Sequence, residues 1–138
     1  MAYFVVDNSA DKIHLTRFNE FFESVDTPED AEAIVVFGGD GSMLSAIKAY
    51  MAVDKPFIGV NAGTRGHLMN DVPSHEQLYQ RWGEVVFEDL WLIQANVTTT
   101  TSQLEIFGFN DIWVERLTGQ ILRMELTFDN EKRSEEHT

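Results

Sequence analysis

The chain of 138 residues contains no cysteine, which excludes disulfides, zinc–thiolate sites and cysteine nucleophiles. Its N-terminus lacks a basic segment followed by a long apolar stretch, and no apolar run is long enough to span a bilayer. We therefore expect a soluble, cytoplasmic protein with no membrane partner.

Basic residues are also scarce, with 10 Lys and Arg against 23 Asp and Glu and a formal net charge of −13. This balance argues against nucleic acid as a partner, because such binding depends on clustered basic side chains. A nucleotide ligand stays compatible with it, since backbone N–H groups and a divalent cation can hold phosphates without Lys or Arg.

The first part of the chain alternates short apolar runs with helical patterns. Strands are predicted at residues 2–7, 33–37 and 57–60, and helices after Ser9, near 42–52 and at 74–81. Ser9 and Ser74 are the predicted N-caps of the first and third helices. The order βαβαβα predicts an α/β, Rossmann-like domain with a parallel sheet.

From residue 84 onwards the pattern is typical of antiparallel strands, predicted at 85–98, 103–109, 112–117 and 120–129. We place a domain boundary near 82–84. The expected organisation is an α/β nucleotide-phosphate domain at 1–83, the start of an antiparallel β domain at 84–131, and a frayed polar tail at 132–138.

The segment Gly38-Gly39-Asp40-Gly41-Ser42 joins the second predicted strand to a helix. Glycine lets the backbone approach a ligand closely, and the start of a helix offers unpaired N–H groups to an anion. Asp40 would then either hold Mg²⁺ or take a proton from a hydroxyl that attacks a phosphoryl group. The plain alternative is a strand-to-helix turn in which Asp40 caps the helix. Neither the Rossmann fingerprint nor a Walker P-loop is present.

Gly-Gly-Asp-Gly-Ser/Thr after a buried strand resembles NAD kinases, diacylglycerol and sphingosine kinases, and phosphofructokinases. The second loop separates these families: residues 56–71 read Pro-Phe-Ile-Gly-Val-Asn-Ala-Gly-Thr-Arg-Gly-His-Leu-Met-Asn-Asp. This is similar to the NAD kinase pattern, in which Gly-Val/Ile-Asn leads into Gly-x-x-Gly-Phe-Leu. Residues 109–114, Phe-Asn-Asp-Ile-Trp-Val, resemble that family's Leu-Asn-Glu/Asp-Val-x-Val segment.

The resemblance to NAD kinases implies transfer of the γ-phosphoryl group of ATP, or of polyphosphate, to the 2′-hydroxyl of NAD. It implies Mg²⁺ accompanying ATP, with no metal ligand assigned to the chain itself. Asp40 matches the catalytic acid that activates the ribose hydroxyl. The residues expected to bind substrate or nucleotide are Gly38, Gly39, Gly41, Ser42, Asn61, Gly63, Gly66, His67, Leu68, Asn110 and Asp111.

Two departures from the family pattern lie in the second loop. His67 stands where the family usually has Phe, and Arg65 where it usually has an aliphatic residue. Either could change the fit of the dinucleotide, and Arg65 could pair with phosphate. The equally weighted alternative is that both are ordinary loop residues.

The family also continues with a Thr-Pro-Thr-Gly-Ser-Thr-Ala-Tyr segment that completes its NAD and ATP sites, and nothing after Asp129 resembles it. We therefore expect a shortened chain whose open β edges are covered by another copy, making a homo-oligomer. Two alternatives to an active enzyme stay open. One is a catalytically impaired dinucleotide-binding module, and the other is a fragment of a lipid kinase or a phosphofructokinase-like kinase.

Overall fold

The computed structural model describes residues 1–63 and 66–137, and the side chains of all these except Leu122 and 132–137. The chain forms two compact units, Met1–Trp91 and Leu92–Thr138, and each is described by itself. None of the described helices is long and apolar enough to cross a membrane.

The first unit is built on a parallel sheet of four strands in the order β2-β1-β3-β4. The central strand β3 is buried at every position, and Val35 pairs with Val5 on one side and Ile58 on the other. This confirms the predicted parallel α/β arrangement. The strands are β1 (Ala2–Asp7), β2 (Glu23–Ser24), β3 (Ala33–Gly38) and β4 (Phe57–Asn61).

Helices cover both faces of this sheet. Successive side chains of β3 point to opposite faces, so each face carries an apolar set that a helix buries. On one face, Val35 and Phe37 pack in a core with Phe18 and Leu78. On the other, Ile34 and Val36 form a core with Met43, Ala46 and Met69. The helices are α1 (His14–Phe18), α2 (Asp40–Tyr50) and α3 (His75–Gln80), with 3₁₀ turns at Pro28–Asp30, Met51–Val53 and Trp82–Glu84.

The two predicted N-caps have different outcomes. The prediction for Ser74 is confirmed, since its hydroxyl accepts a hydrogen bond from the Gln77 N–H at 3.2 Å. The prediction for Ser9 is wrong: α1 begins later, at His14, and its N-cap is Ile13. Ser9 is buried, and both its N–H and its hydroxyl donate to the carboxylate of Asp7. Ser9 lies five residues before α1, so its hydroxyl does not cap the first turn of that helix and instead donates locally to Asp7.

The second unit contains two antiparallel hairpins. One pairs β5 (Ile93–Thr98) with β6 (Gln103–Gly108), and the other pairs β7 (Leu122–Phe128) with β8 (Glu131–His137). The antiparallel segment is therefore confirmed. The prediction of a frayed tail at 132–138 is wrong for 132–137, because these residues pair along their length with β7. Thr138 lies outside the described residues.

Two further strand predictions need correction. Residues 85–92 contain no strand, and 85–87 instead line a groove of about 250 Å³ with residues of β4 and α3. The first compact unit runs to Trp91 and the second begins at Leu92, so the expected boundary near 82–84 lies inside the first unit. The run 112–117 is irregular, with Trp113, Val114 and Leu117 exposed and no β partner within the described part of the second unit.

Candidate functional site

The first glycine loop lies where β3 ends and α2 begins. β3 runs to Gly38, Gly39 is the N-cap of α2, and Asp40 is its first helical residue. The Gly39 carbonyl accepts the Met43 N–H at 3.1 Å, the first hydrogen bond of the helix. This confirms the predicted strand–turn–helix, with the helix starting slightly earlier than the sequence indicated.

Gly38 takes a backbone conformation that favours glycine. Its φ is +154°, and a Cβ placed on it would lie 2.6 Å from the Cβ of Ser42. The turn can therefore be this tight only because Gly38 has no side chain. The closeness of Ser42 brings the first turn of α2 directly beside the end of β3.

The start of α2 offers backbone donors. The amide N–H groups of the first helical turn, from Asp40 to Ser42, have no carbonyl partner within the helix. They lie at the positive end of the helix dipole, which favours an anion. This arrangement is the anion-binding geometry expected from the sequence.

The second glycine loop leaves β4 at Asn61 and is fixed at its base. The Asn61 side chain donates to the Asp71 carboxylate at 2.8 Å and accepts the Gly63 N–H at 3.2 Å. Asn70 returns alongside β4, donating its N–H to the Gly59 carbonyl at 2.9 Å. The Ala62 N–H donates to the Gly38 carbonyl at 3.0 Å, so the two glycine loops are joined directly.

The carboxylate of Asp40 closes this arrangement. One of its oxygens accepts the His67 N–H at 2.9 Å and the other accepts the Leu68 N–H at 2.8 Å. Asp40 is thus not the helix cap of the plain alternative, because α2 has no side-chain cap hydrogen bond. Its side chain instead ties the start of α2 to the second loop.

These contacts stabilise the ionised form of Asp40. The backbone N–H groups of His67 and Leu68, with a smaller contribution from the nearby His67 imidazole, lower the pKa of the Asp40 carboxyl from its usual 3.8. Asp40 is only half-buried, so solvent reaches the carboxylate. Asp40 is therefore an oriented carboxylate anion in the first turn of α2, at the turn predicted to bind an anion.

Gly66 makes this close approach possible. A Cβ on Gly66 would lie 2.7 Å from an Asp40 carboxylate oxygen and 3.2 Å from Cγ of Met69. Any side chain there would push the loop from the carboxylate. By contrast, a Cβ on Gly63 would meet nothing within 4 Å.

The structure thus brings together most of the predicted site. Gly38, Gly39, Asp40, Gly41 and Ser42 join Asn61, Gly63, Gly66, His67 and Leu68 in one region of the first unit. Asn110 and Asp111 belong to the second unit, where both are exposed in the irregular segment after β6. Their predicted contact with NAD remains a prediction, and Arg65 lies outside the described residues.

Sequence reasoning missed the feature that holds the site together. Two backbone donors meeting one carboxylate leave no signature in side-chain identity, so nothing in the sequence paired Asp40 with residues 67 and 68. The only available signal was Gly66, which suits a position where another group comes very near the backbone.

Comparison with known proteins bears on this geometry. The family model for the ATP-NAD kinase N-terminal domain matches residues 6–88, a range that contains both glycine loops. The chain belongs to the NAD kinase family. This confirms the resemblance found in the three sequence motifs, although the family match ends before Asn110 and Asp111.

Curated NAD kinases are similar over most of the chain. The NAD kinase of Brucella suis biovar 1 (strain 1330) is 34% identical over 109 residues, which is 78% of this chain and 42% of that protein. The NAD kinase of Rickettsia prowazekii (strain Madrid E) is 31% identical over the same shares, and that of Rickettsia africae (strain ESF-5) is 33% identical. The chain therefore spans about 42% of the length of these relatives.

Proposed function

We propose that this chain carries the phosphate and ribose site of an NAD kinase, with Asp40 as its catalytic residue. The observation that carries the proposal is the Asp40 carboxylate, held at the start of α2 by the amides of His67 and Leu68. Family membership supports an NAD kinase-like reaction. The acceptor would be the 2′-hydroxyl of NAD, as the resemblance of the motifs implies.

Asp40 is placed to act as the proton acceptor. Each carboxylate oxygen accepts one amide hydrogen and keeps a further lone-pair site for the ribose hydroxyl. As the hydroxyl oxygen bonds to the γ-phosphorus, the bond from that phosphorus to the leaving phosphate breaks, and the hydroxyl proton passes to Asp40. Positioning supplies most of the rate enhancement in such reactions, which suits a carboxylate oriented before substrate arrives.

The first turn of α2 would hold the phosphates through the amides of Gly39, Gly41 and Ser42. Mg²⁺ fits this site as an ion that arrives with ATP: it is commonly bound by one or two carboxylates together with substrate phosphates. Within the described residues no cluster of three acidic or His side chains could hold a metal alone. The ion would neutralise phosphate charge, which an acidic chain with few basic residues needs.

The second loop would line the dinucleotide cleft through Asn61, Gly63, Gly66, His67 and Leu68. Asn110 and Asp111 would hydrogen-bond NAD, as the resemblance implies. The phosphoryl donor would be ATP or polyphosphate, as the resemblance implies.

The test is NADP formation by the purified chain given NAD with Mg-ATP or with Mg-polyphosphate. We expect Asp40→Asn to lower the rate about 100-fold or more, the usual effect of removing a positioned proton acceptor. Asp54→Asn is the matched control, because Asp54 is exposed beyond α2 and has the left-handed conformation that Asn tolerates. Equal rates for Asp40→Asn and the unchanged chain would refute the role of Asp40.

A dinucleotide-binding module without turnover is the second candidate, favoured by the two amide bonds that lower the pKa of Asp40 and with it the basicity of the carboxylate. Calorimetric binding of NAD with no NADP formed under either donor would support it over the enzyme. Absence of both binding and turnover would count against both candidates.

We also propose that the second unit associates with another copy of the chain. Its two hairpins are separate two-stranded sheets, which are marginally stable alone in water. Large apolar side chains there are exposed, Leu117 completely and Phe128 by 69%. Light scattering at micromolar concentration should give a mass above one chain, and Leu117→Asp should lower it. A single-chain mass at that concentration would contradict this proposal.

A further inference from the structure

Two histidines meet on the sheet face opposite α2. His14 opens α1 and His75 opens α3, and His14 Nδ1 lies 3.0 Å from His75 Nε2. Both imidazoles stack on Phe37, with ring centroids 4.9 Å away for His14 and 5.3 Å for His75. Phe37 directly precedes Gly38 in the phosphate loop. We call His14, His75 and Phe37 the histidine latch.

The hydrogen bond of the latch needs an imidazole nitrogen that can accept. One ring nitrogen of a neutral histidine accepts and the other donates, whereas both nitrogens of a histidinium donate. The bond between His14 Nδ1 and His75 Nε2 therefore forms when at least one of the two rings is neutral. With both rings protonated, two N–H groups would face each other and two cations would repel.

The surroundings of His75 disfavour even the first proton there. Its Nδ1 is buried and has no hydrogen-bond partner among the described residues. A protonated His75 must carry an N–H at that buried atom, whereas the neutral ring can donate from Nε2 to His14 and leave Nδ1 without a proton. Burial, then the charges of His14 and Arg17, lower the pKa of His75 from its ordinary 6.5, while Glu20 and Asp7 oppose this shift.

Charged groups surround the latch on several elements. The carboxylate of Asp7, at the end of β1, accepts the backbone N–H of His14 at 2.9 Å. The Lys12 ammonium donates to the backbone carbonyl of Asp7 at 2.8 Å. Asp71, from the loop after β4, is engaged by Asn61. Arg17 and Glu20 follow His14 in the chain, and Glu76 follows His75. Asp7 and Glu20 favour protonation but do not reverse the lowering at His75.

A metal site is the competing interpretation of two adjacent histidines. Within the described ranges, no third His, Asp or Glu stands where it could complete a metal site with them. Protonation is the change that two imidazoles can undergo without a third ligand. A cavity of about 190 Å³ beside the pair, lined by Asn61, Ser74 and others, gives water a route to the rings when they part.

We propose that the histidine latch is a pH-sensitive connection between α1 and α3, closed near neutral pH and opened by acid. Opening would loosen the start of α3 and uncover Phe37 beneath the phosphate loop, while buried Leu78 keeps the rest of α3 in the core. Acid should lower the folding stability, because the pKa of His75 is lower in the folded chain than its ordinary 6.5. The unfolded chain binds a proton at higher pH than the folded chain, so stability is lost as pH falls from about 6.5 through the folded value.

The experiment measures unfolding by urea between pH 5 and 8 for the unchanged chain, His75→Phe and His137→Gln. Phe keeps a ring against Phe37 and removes the titration, and His137→Gln changes a histidine outside the latch. We expect the unchanged chain and His137→Gln to share an acid-side loss in the ratio of folded to unfolded protein, and His75→Phe to lose less. An equal loss in all three chains would overturn the proposal.

A measurement on the unchanged chain keeps the proposal testable if His75→Phe does not fold. NMR titration of the four histidines should show His75 with a pKa below 6.5, together with faster amide exchange at the start of α3 as His75 protonates. The hairpin of β5 and β6 should not share that change. Titration of His75 at or above 6.5, or α3 exchange unaffected by its protonation, would overturn the latch.

Discussion

The two units of this chain are stabilised very differently. In Met1–Trp91, a fully buried central strand separates two apolar cores, and helices cover both faces of the sheet. In Leu92–Thr138, most of the large apolar side chains that the structure describes are exposed. They include Trp113 and Leu117, between the two hairpins, and Phe128 in the second hairpin. A parallel sheet needs layers on both faces, and the first unit supplies them from its own helices.

The buried sheet of the first unit also supports the candidate site. The two glycine loops gain their shape from the end of β3 and of β4, which the buried sheet holds in register. An oriented carboxylate needs such a rigid base, since its two amide donors come from a loop 27 and 28 residues further along the chain. The second unit contributes Asn110 and Asp111 only as exposed residues of an irregular segment.

The largest expected contrast is between core phenylalanines and hairpin phenylalanines. Phe18 is fully buried, so Phe18→Ala should destabilise the first unit by about 3–5 kcal/mol through lost burial and a cavity. Phe128→Ala removes a ring that is 69% exposed within one chain, and should change stability by only about 0.5 kcal/mol at concentrations where the chain does not associate. Urea unfolding measures both, and Phe18→Leu gives a milder change if Phe18→Ala does not fold. Similar effects at the two positions would break the contrast between the units.

A smaller effect is expected where the two glycine loops touch. Gly66→Ala places a methyl group against the Asp40 carboxylate and Met69, which should cost about 1–3 kcal/mol as the loop shifts. Gly63→Ala is the matched control, since a Cβ there meets open space. Thermal unfolding should separate the two variants. If both melt alike, the contact between Gly66 and Asp40 is not tight in solution.

The N-cap of α3 should contribute less to folding stability than the contact between Gly66 and Asp40. Ser74→Ala removes the hydroxyl that accepts the Gln77 N–H, at a cost of about 1 kcal/mol. Ser45→Ala, an exposed change in the middle of α2, should be neutral or slightly stabilising. Urea midpoints compare them, and equal midpoints would mean that the Ser74 cap is not formed.

The smallest effect concerns the titration of Asp40. Its amide partners favour the ionised carboxylate, so the folded chain should release this proton at lower pH than the ordinary 3.8. The stabilisation is then present above pH 3.8 and lost as pH falls through the folded pKa. Carboxyl NMR signals measure this directly, and an Asp40 pKa at or above 3.8 would mean that the His67 and Leu68 amides do not bind it.

Sequence patterns predicted the first unit well because its signals are local. Buried runs such as residues 33–37, followed by glycine and a helical period, indicate a parallel α/β unit, and Ser74 with Gln77 indicates a helix start. The second unit was harder. The apolar run 112–117 looks like a strand in isolation, but whether it becomes one depends on a partner strand, which is a property of the whole fold.

The candidate site shows the same division. Glycines 38, 39 and 41 with Asp40 predicted the strand-to-helix turn correctly as a local structure, and anion binding at that turn stays a prediction. The bonds from residues 67 and 68 to Asp40, and the meeting of His14 with His75 across 61 residues, are non-local. Ser9 was missed for a different, local reason: its hydroxyl donates to Asp7, and α1 begins only at His14.

We propose that the two glycine loops of the first unit form a dinucleotide phosphate site around Asp40. The direct measurement is a backbone amide NMR spectrum of the labelled chain with NAD added stepwise, alone and with Mg-ATP. The account predicts saturable shifts at Gly39–Ser42 and at Gly66–Leu68, weakened in Asp40→Asn. Shifts confined to other parts of the chain, or none at millimolar NAD, would contradict it.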